Sequence, residues 1–272
     1  MAERGGLGSY LRARRALVQP EDVGLARGDD HRRVAGLRRE EVAILAGVST
    51  DYYLRLEQGR DVNPSTQVLD ALARVLGLDP VATAYLHRLA RSTEPRSIDD
   101  QDAARDATVW LIDSWPRTAA MVHNRYMDVL ASNRLARALN PNYTAGTNSL
   151  LALLSDPAEQ AFHQRWEPLA ARSIALLRSA SDGDAEDPRL DDHLARLAAS
   201  SDRFQELWDR NDVVLIGDGI HQLHHPVVGD LDARYARLPL VGTAGHSLFI
   251  YYAEPGSPTA MAFDLLASAE GD

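Results

Sequence analysis

The sequence predicts a multi-domain chain: an all-α domain of five helices over residues 1–91, then an α+β domain over 103–272. Three observations carry this. Apolar residues recur at helical spacing, punctuated by Gly, Ser and Asp-Pro, from residue 9 to about 91. A polar stretch with one proline, STEPRSIDDQ, then interrupts the pattern and marks a linker over 92–102. Beyond it, helical segments are joined by runs that alternate apolar and polar residues, as half-buried strands do.

The elements follow in order. SYLRARRAL (9–17) reads as a first helix, and 20–36 as a long charged loop. In LRREEVAILAGVSTDYYLRLEQGR (37–60), Val42, Leu45 and Ala46 form an apolar stripe, and Tyr53 and Leu56 repeat the spacing in a second helix. Gly47 suits the left-handed position that ends a helix, and Ser49 caps the next. Ser65 caps a fourth helix with Val68, Leu69, Leu72, Val75 and Leu76 inward; Asp79-Pro80 opens a fifth. In the second part, helices are expected at 103–115, 133–139, 148–154, 157–180, 189–210 and 258–268. A hairpin is expected at 119–123 and 126–132, turning at Asn124-Arg125, and three more strands at 213–225, 230–238 and 246–252.

Composition narrows the function classes. The chain has no cysteine, which excludes disulfides, thiolate chemistry and Cys-based zinc fingers. The start, MAERGGLGSYLRARR, has no apolar core, and no run approaches the roughly 18 apolar residues of a membrane span. The expectation is a soluble cytoplasmic protein with no membrane contact. Net charge is −10, yet residues 1–92 carry 14 Arg against 12 acids, and the remainder carries 15 against 27. The acidity belongs to the second part. The first is mildly basic, so any phosphate affinity must come from an asymmetric surface.

A helix, a tight Gly turn and a second helix with a polar outer face is the unit that lays its second helix in the DNA major groove. The window at 37–76 resembles the XRE/Cro/C1 group of helix-turn-helix proteins. The likeness rests on Leu37, Glu40-Glu41-Val42-Ala43, Ala46-Gly47-Val48-Ser49, Leu56-Glu57, Gly59, Asn63-Pro64-Ser65 and Leu69 to Leu76, and extends over 8–91. It implies a lambda-repressor-like domain whose recognition helix starts after Ser49. Base contacts are then expected from Thr50, Asp51, Tyr52 and Arg55; Arg can grip guanine bidentately for about 1–3 kcal/mol of discrimination. Asp51 could accept from a cytosine amino group or hold the helix in register by repelling phosphate. Arg38 and Arg39 stand at the positive end of the preceding helix, offset by Glu40 and Glu41, and read as a phosphate clamp. Ser49, Gln58, Arg60 and Asn63 complete the expected backbone contacts. Glu57 points inward and should pair with Arg12, Arg14 or Arg15. Arg27, Arg32 and Arg33 in the long loop are candidate arm contacts.

The second part resembles the MmyB-like regulators, in which such a head precedes a PAS-like ligand-binding domain. The pieces are Tyr126 to Asn133 (YMDVLASN), Asn148 to Leu151 (NSLL), His225 to Gly229 (HPVVG) and Tyr251 to Ser257 (YYAEPGS). The resemblance implies a one-component transcriptional regulator with a small apolar or amphipathic ligand. A sensor pocket needs apolar walls and a few polar anchors. Candidate walls are Trp110, Met121, Met127, Trp166, Trp208, Tyr235, Phe249 and Tyr251, with Trp115 and Phe204 as further aromatics. His123 and Asn133 are candidate anchors.

An enzyme is disfavoured. His221, His224 and His225 form an H-x-x-H-H cluster, but on a strand His224 points away from the other two, and no carboxylate completes a metal site. No G-x-S-x-G, P-loop or H-E-x-x-H occurs, and Gly217-Asp218-Gly219 lacks a nucleotide-binding context. No metal or cofactor is expected. The partners expected are double-stranded DNA with a near-palindromic operator, a small ligand and a second copy of the chain. The alternative is a protein-interaction adaptor with a helical module that does not bind DNA.

Overall fold

The structure is a computed structural model describing residues 6–25, 36–60, 63–90, 103–180, 187–214, 217–243 and 245–269. The chain forms two compact units: one of Met1–Arg96, Asp182–Ala195 and Gln205–Val214, the other of Ser97–Ser181, Arg196–Phe204 and Leu215–Asp272.

The first unit holds five helices from the N-terminal region: α1 (Leu7–Leu17), α2 (Arg39–Ala46), α3 (Thr50–Glu57), α4 (Thr66–Val75) and α5 (Pro80–Ala90). A short 3-10 turn at Pro20–Val23 lies in the segment expected to be loop. Local chemistry sets the ends. Gly47 adopts φ +69°, closing α2 with its N–H on its last carbonyls. The Ser49 hydroxyl accepts the Tyr52 N–H at 3.1 Å, Ser65 caps α4 at 3.3 Å, and Asp79 Oδ1 accepts the Ala82 N–H at 2.8 Å. The core gathers Tyr10, Leu11, Leu37, Tyr53, Leu56, Leu72 and Tyr85. Leu45 departs from expectation: it is exposed, as is Ile44, and α2 buries only Val42 and Ala43 fully. Eight residues give that helix barely two turns, so one pair of positions meets the core.

Two later segments group with this unit. Arg14 pairs with Asp212 at 3.0 Å, and Val213 packs on the first core. They come from a region expected to be one helix at 189–210. It is two, α11 (Pro188–Ser200) and α12 (Asp202–Asp209), broken at Ser201, whose carbonyl accepts the Phe204 N–H.

The second unit contains α6 (Asp106–Asp113), β1 (Ala119–His123), β2 (Val129–Ser132), α7 (Arg134–Leu139), α8 (Ser149–Ser155), α9 (Pro157–Phe162), α10 (Trp166–Ala180), β3 (Asp218–His225), β4 (Gly229–Pro239), β5 (Ser247–Tyr252) and α13 (Pro258–Ala269). The strands form one antiparallel sheet in the order β2-β1-β5-β4-β3. One face carries Met121, Leu223, Leu231, Ala233 and Tyr251, covered in part by α7 and α13. On the other face, Ala120, Val122 and Leu248 pack with Ile112 of α6. The α+β layout is the one expected. Strand β3 begins at Asp218 rather than 213, and β2 at Val129 rather than 126.

Two side chains organise this unit. Asn133 Oδ1 accepts the N–H groups of Ala120 and Ala136, while its Nδ2 donates to the carbonyls of Ile112, Trp115 and Thr118. One buried amide thus joins α6, β1 and the start of α7. Asn124 makes the hairpin turn wider than two residues: its Oδ1 accepts from the Tyr126 and Asp128 N–H groups, its Nδ2 donates to Asp128, and Met127 sits at φ +70°. Asn148 Nδ2 donates to the Tyr126 carbonyl and Asp128 Oδ1, tying the turn to the start of α8. The expected helix 157–180 breaks at His163, which leaves helical geometry to bridge Leu223 of β3. Among the described residues no helix is long and apolar enough to cross a membrane.

Candidate nucleic-acid interface and ligand cavity

In the first unit α3 turns two different faces outward and inward. Thr50, Asp51 and Arg55 are exposed, Tyr52 is half-buried, and Tyr53, Leu56 and Glu57 are buried. The spacing of these outward residues is i, i+1, i+5, which falls on one helical face. Arg55 is held by its neighbours: Nη1 lies 2.9 Å from Asp51 Oδ2, and its guanidinium carbon lies 5.8 Å from the centre of the Tyr52 ring. Asp51 and Arg55 thus form an exposed i, i+4 ion pair within α3. Arg38, Gln58, Arg60 and Asn63 are exposed. Ser49 spends its hydroxyl on the cap, which leaves it in place at the start of α3. Arg27, Arg32 and Arg33 lie outside the described residues.

The inner face of α3 is fixed by a buried carboxylate. Glu57 Oε1 accepts from Arg15 Nε at 2.6 Å, and Oε2 from Arg39 Nε at 2.7 Å. Arg15 Nη1 also donates to the Leu37 carbonyl, and Arg12 Nη2 to the Glu57 carbonyl. Of the three arginines named for Glu57, Arg15 makes the ion pair. Burial alone would push the Glu57 carboxyl up, but hydrogen bonds from Arg15 and then Arg39 outweigh it and hold the group below its ordinary value. Burial likewise works against the Arg15 charge, and the Glu57 contacts overcome it and raise the Arg15 pKa. Burial and the neighbouring Glu57 charge raise Tyr53. Arg39 thus has two calls on it: its side chain is 43% exposed, yet its Nε is tied to the core. At the start of α2, the Glu41 carboxylate accepts the Arg38 N–H at 2.6 Å, offsetting the two cations there.

In the second unit a cavity of about 80 Å³ lies between the sheet and the helices α8, α9 and α10. Its walls include five of the expected pocket residues: Met121, His123, Met127, Phe249 and Tyr251. The other five do not line it. Trp110 is 72% exposed on α6. Asn133 is consumed by its five backbone contacts. Trp166 donates its indole N–H to the Leu153 carbonyl, behind the wall. Trp208 is buried in a segment of the first unit. Tyr235 stacks beneath Phe249 and His221 at 5.7 and 4.0 Å between ring centres.

The polar lining was mostly missed: Arg237, His163, His221 and Glu159. The His163 signal was hidden, because nothing in QAFHQRW announces a helix break. Arg237 was legible. Leu231, Ala233, Tyr235 and Arg237 alternate along β4, so the last puts a cation on an otherwise apolar face. Glu159 Oε2 accepts from Asn140 at 2.7 Å and Asn142 at 3.0 Å, and its Oε1 lies 3.0 Å from His163 Nε2. His123 Nε2 meets the Ser149 hydroxyl at 2.8 Å, and His221 Nδ1 meets the Tyr251 hydroxyl at 2.8 Å. Burial, then the Arg237 charge, lowers His123 well below its usual value, and burial takes His221 down to about 3. Both rings are neutral at physiological pH. Burial raises Tyr143 and Tyr251, so both stay as phenols.

The three histidines of β3 separate as strand geometry requires. His221 faces the cavity, His224 pairs outward with Asp230, and His225 accepts the N–H groups of Val227 and Val228. No cluster of three metal-ligating side chains occurs among the described residues.

Two family models match the chain. Residues 104–266 match the MmyB-like transcription regulator ligand binding domain, and residues 6–86 match a helix-turn-helix domain. No curated protein matches it.

Proposed function

The chain belongs to the family of the MmyB-like transcription regulator ligand binding domain, and from that membership we propose a ligand-controlled, sequence-specific DNA-binding regulator that works as a homodimer. Both matched families are regulatory, and a helix-turn-helix head with a ligand-binding domain is a DNA-binding transcription regulator. The finer reading divides the labour at the 92–102 linker. The head reads DNA with α3, and the domain after it senses a small apolar or amphipathic molecule. One observation carries the DNA reading: α3 keeps Thr50, Asp51 and Arg55 outward while Glu57, Arg15 and Arg39 lock its back. Arg55 is assigned to a guanine, Thr50 to a thymine methyl, and Arg38, Gln58, Arg60 and Asn63 to phosphates. Two heads in a dimer would enter successive major grooves about 34 Å apart on a near-palindromic site. Ligand would alter DNA affinity through different affinities for the competent and incompetent arrangements. We place the protein in the cytoplasm, where its DNA is.

The test is selection of binding sites from a random duplex pool with purified full-length protein, followed by gel-shift titration at several salt concentrations. The expected result is one enriched two-fold symmetric motif, bound with a steep salt dependence. Recovery of unenriched sequences alone would reject a sequence-reading head and leave the adaptor reading in its place.

A further inference from the structure

Among the described residues the guanidinium of Arg237 has no acidic partner. It projects from the inner face of β4 into the cavity wall, where burial lowers it from its ordinary 12.5 to about 10. Among the described residues no carboxylate pairs with it. Glu159 shares the cavity, but Asn140, Asn142 and His163 occupy its oxygens. His123 and His221 are neutral. Arg237 is half-buried, and a cation drawn out of water is costly unless it is paired; a guanidinium fork matches a carboxylate.

What occupies that fork is a thioether. Nη1 and Nη2 of Arg237 both lie 3.2 Å from Met127 Sδ, while Nε donates to the Ser247 hydroxyl at 2.9 Å. Sulfur is a weak acceptor, and here it bridges both Nη groups as two oxygens of a bound acid would. The backbone goes to some trouble to place it. Met127 sits at φ +70°, a conformation that side-chain-bearing residues adopt uncommonly, and Asn124 and Asn148 clamp the turn around it. The side chain itself has three rotatable bonds and can leave without moving that backbone. The remaining walls include Met121, Leu150, Leu153, Phe249 and Tyr251.

We propose that this cavity receives a compact organic monocarboxylate, whose carboxylate takes the Arg237 fork and displaces the Met127 thioether. The proposal rests on the ligand-binding reading of this domain and names the chemistry of its ligand. One guanidinium and no other unpaired cation on the walls select a single negative charge. A cavity of about 80 Å³ and its aromatic and aliphatic walls select a short apolar body. Met127 acts as a stand-in that keeps Arg237 from being left bare when the site is empty.

The experiment uses the full chain without DNA, so its outcome does not depend on operator binding. Calorimetric titrations compare benzoate with benzamide and hexanoate with hexanamide. The neutral amides keep the body and remove the charge. In parallel, the protein carries carbon-13 methyl methionine, and each of its four Met signals is assigned by substitution. Each acid should bind at least about tenfold more tightly than its amide. Arg237→Gln should bring that ratio to about one, with thermal melting confirming a folded protein. The Met127 methyl resonance should shift on adding acid and remain in place when amide is added. Met127→Leu, which keeps the bulk and loses the sulfur, should retain the preference for acid. Equal affinity for acid and amide, undiminished acid binding by Arg237→Gln, an unmoved Met127 signal at saturation, or no binding of either acid at millimolar concentration would each overturn the proposal.

Discussion

Glu57→Gln tests how the recognition helix is held. Glu57 pairs with Arg15 of α1 and Arg39 of α2 from α3, and its side chain is fully enclosed. The substitution keeps shape and one acceptor oxygen but removes the charge. Arg15 is then left buried with the Leu37 carbonyl as its main remaining partner. Removing one member of a buried pair costs about 3–5 kcal/mol. The lower end applies, because Arg39 is partly exposed and can rehydrate, and the amide oxygen still accepts one bond. A loss of about 3 kcal/mol corresponds to roughly a hundredfold faster hydrogen exchange in α3 under conditions where opening is a rapid pre-equilibrium, read peptide by peptide by mass spectrometry. That assay isolates the helix, where a bulk melt of two units would mix their transitions. The pH dependence follows from linkage. The folded carboxyl lies below its ordinary 4.5, so its stabilisation is complete above that value and is lost as pH falls through the folded pKa. The gap between wild type and Glu57→Gln should therefore be widest near neutrality and narrow in acid. A change in α3 exchange of less than about threefold at pH 7 would refute the claim that this pair fastens the helix.

Four further outcomes are expected. Arg55→Ala should flatten preference at one base position by about 1–3 kcal/mol in competition assays, with the rest of the motif intact. Arg38→Ala should weaken all sequences alike and reduce the salt slope by about one ion; Arg39→Ala is the poorer probe, because it also strips a partner from Glu57. Gly8→Ala should destabilise the head by about 1–3 kcal/mol in urea titration, since its new Cβ would stand 2.4 Å from the Glu57 carbonyl oxygen and press α1 off α3. Asn133→Ala should cost about 2–3 kcal/mol by the same measurement, from a lost cap and buried backbone groups left without a partner.

The head was legible because its signals are local. Gly47, Ser49, Ser65 and Asp79 each satisfy a backbone group within a few residues, so sequence spacing alone places α2 to α5. The sheet was legible to the extent that alternation marks strands, including the outward turn of His224. What escaped was decided at long range. QAFHQRW is a reasonable helical run; it breaks because His163 and Gln164 bond to β3, some sixty residues on. The tryptophans were the natural choice for pocket walls, yet none lines the cavity, whose aromatic and sulfur-bearing walls come from Met, His, Tyr and Phe249 instead. Arg237 needed only the parity of β4 to be found. Its importance, however, comes from the lack of an ion pair to it among the described residues, Glu159 of the same cavity being engaged elsewhere, which no pattern within one strand reveals.

The same guanidinium bounds how strongly a ligand could act as a switch. A carboxylate in the Arg237 fork makes charge-assisted hydrogen bonds of about 1.5–3 kcal/mol each in exchange for weak contacts to sulfur. Turning a two-state population from 1:99 to 99:1 needs about 5.5 kcal/mol of differential affinity. Pairing at the fork in one state and its loss in the other would bring a ligand close to that figure only if both hydrogen bonds depended on the state. The natural element to supply such dependence is the turn around Met127, because Asn148 ties it to the first turn of α8, which also forms the cavity wall. Asn148→Ala should then uncouple the two. Acid affinity measured by calorimetry should change by less than about threefold, while the acid-induced difference in operator affinity should disappear. A variant that loses acid binding outright, or that keeps the full ligand effect on DNA, would show that the clamp shapes the site without relaying its occupancy.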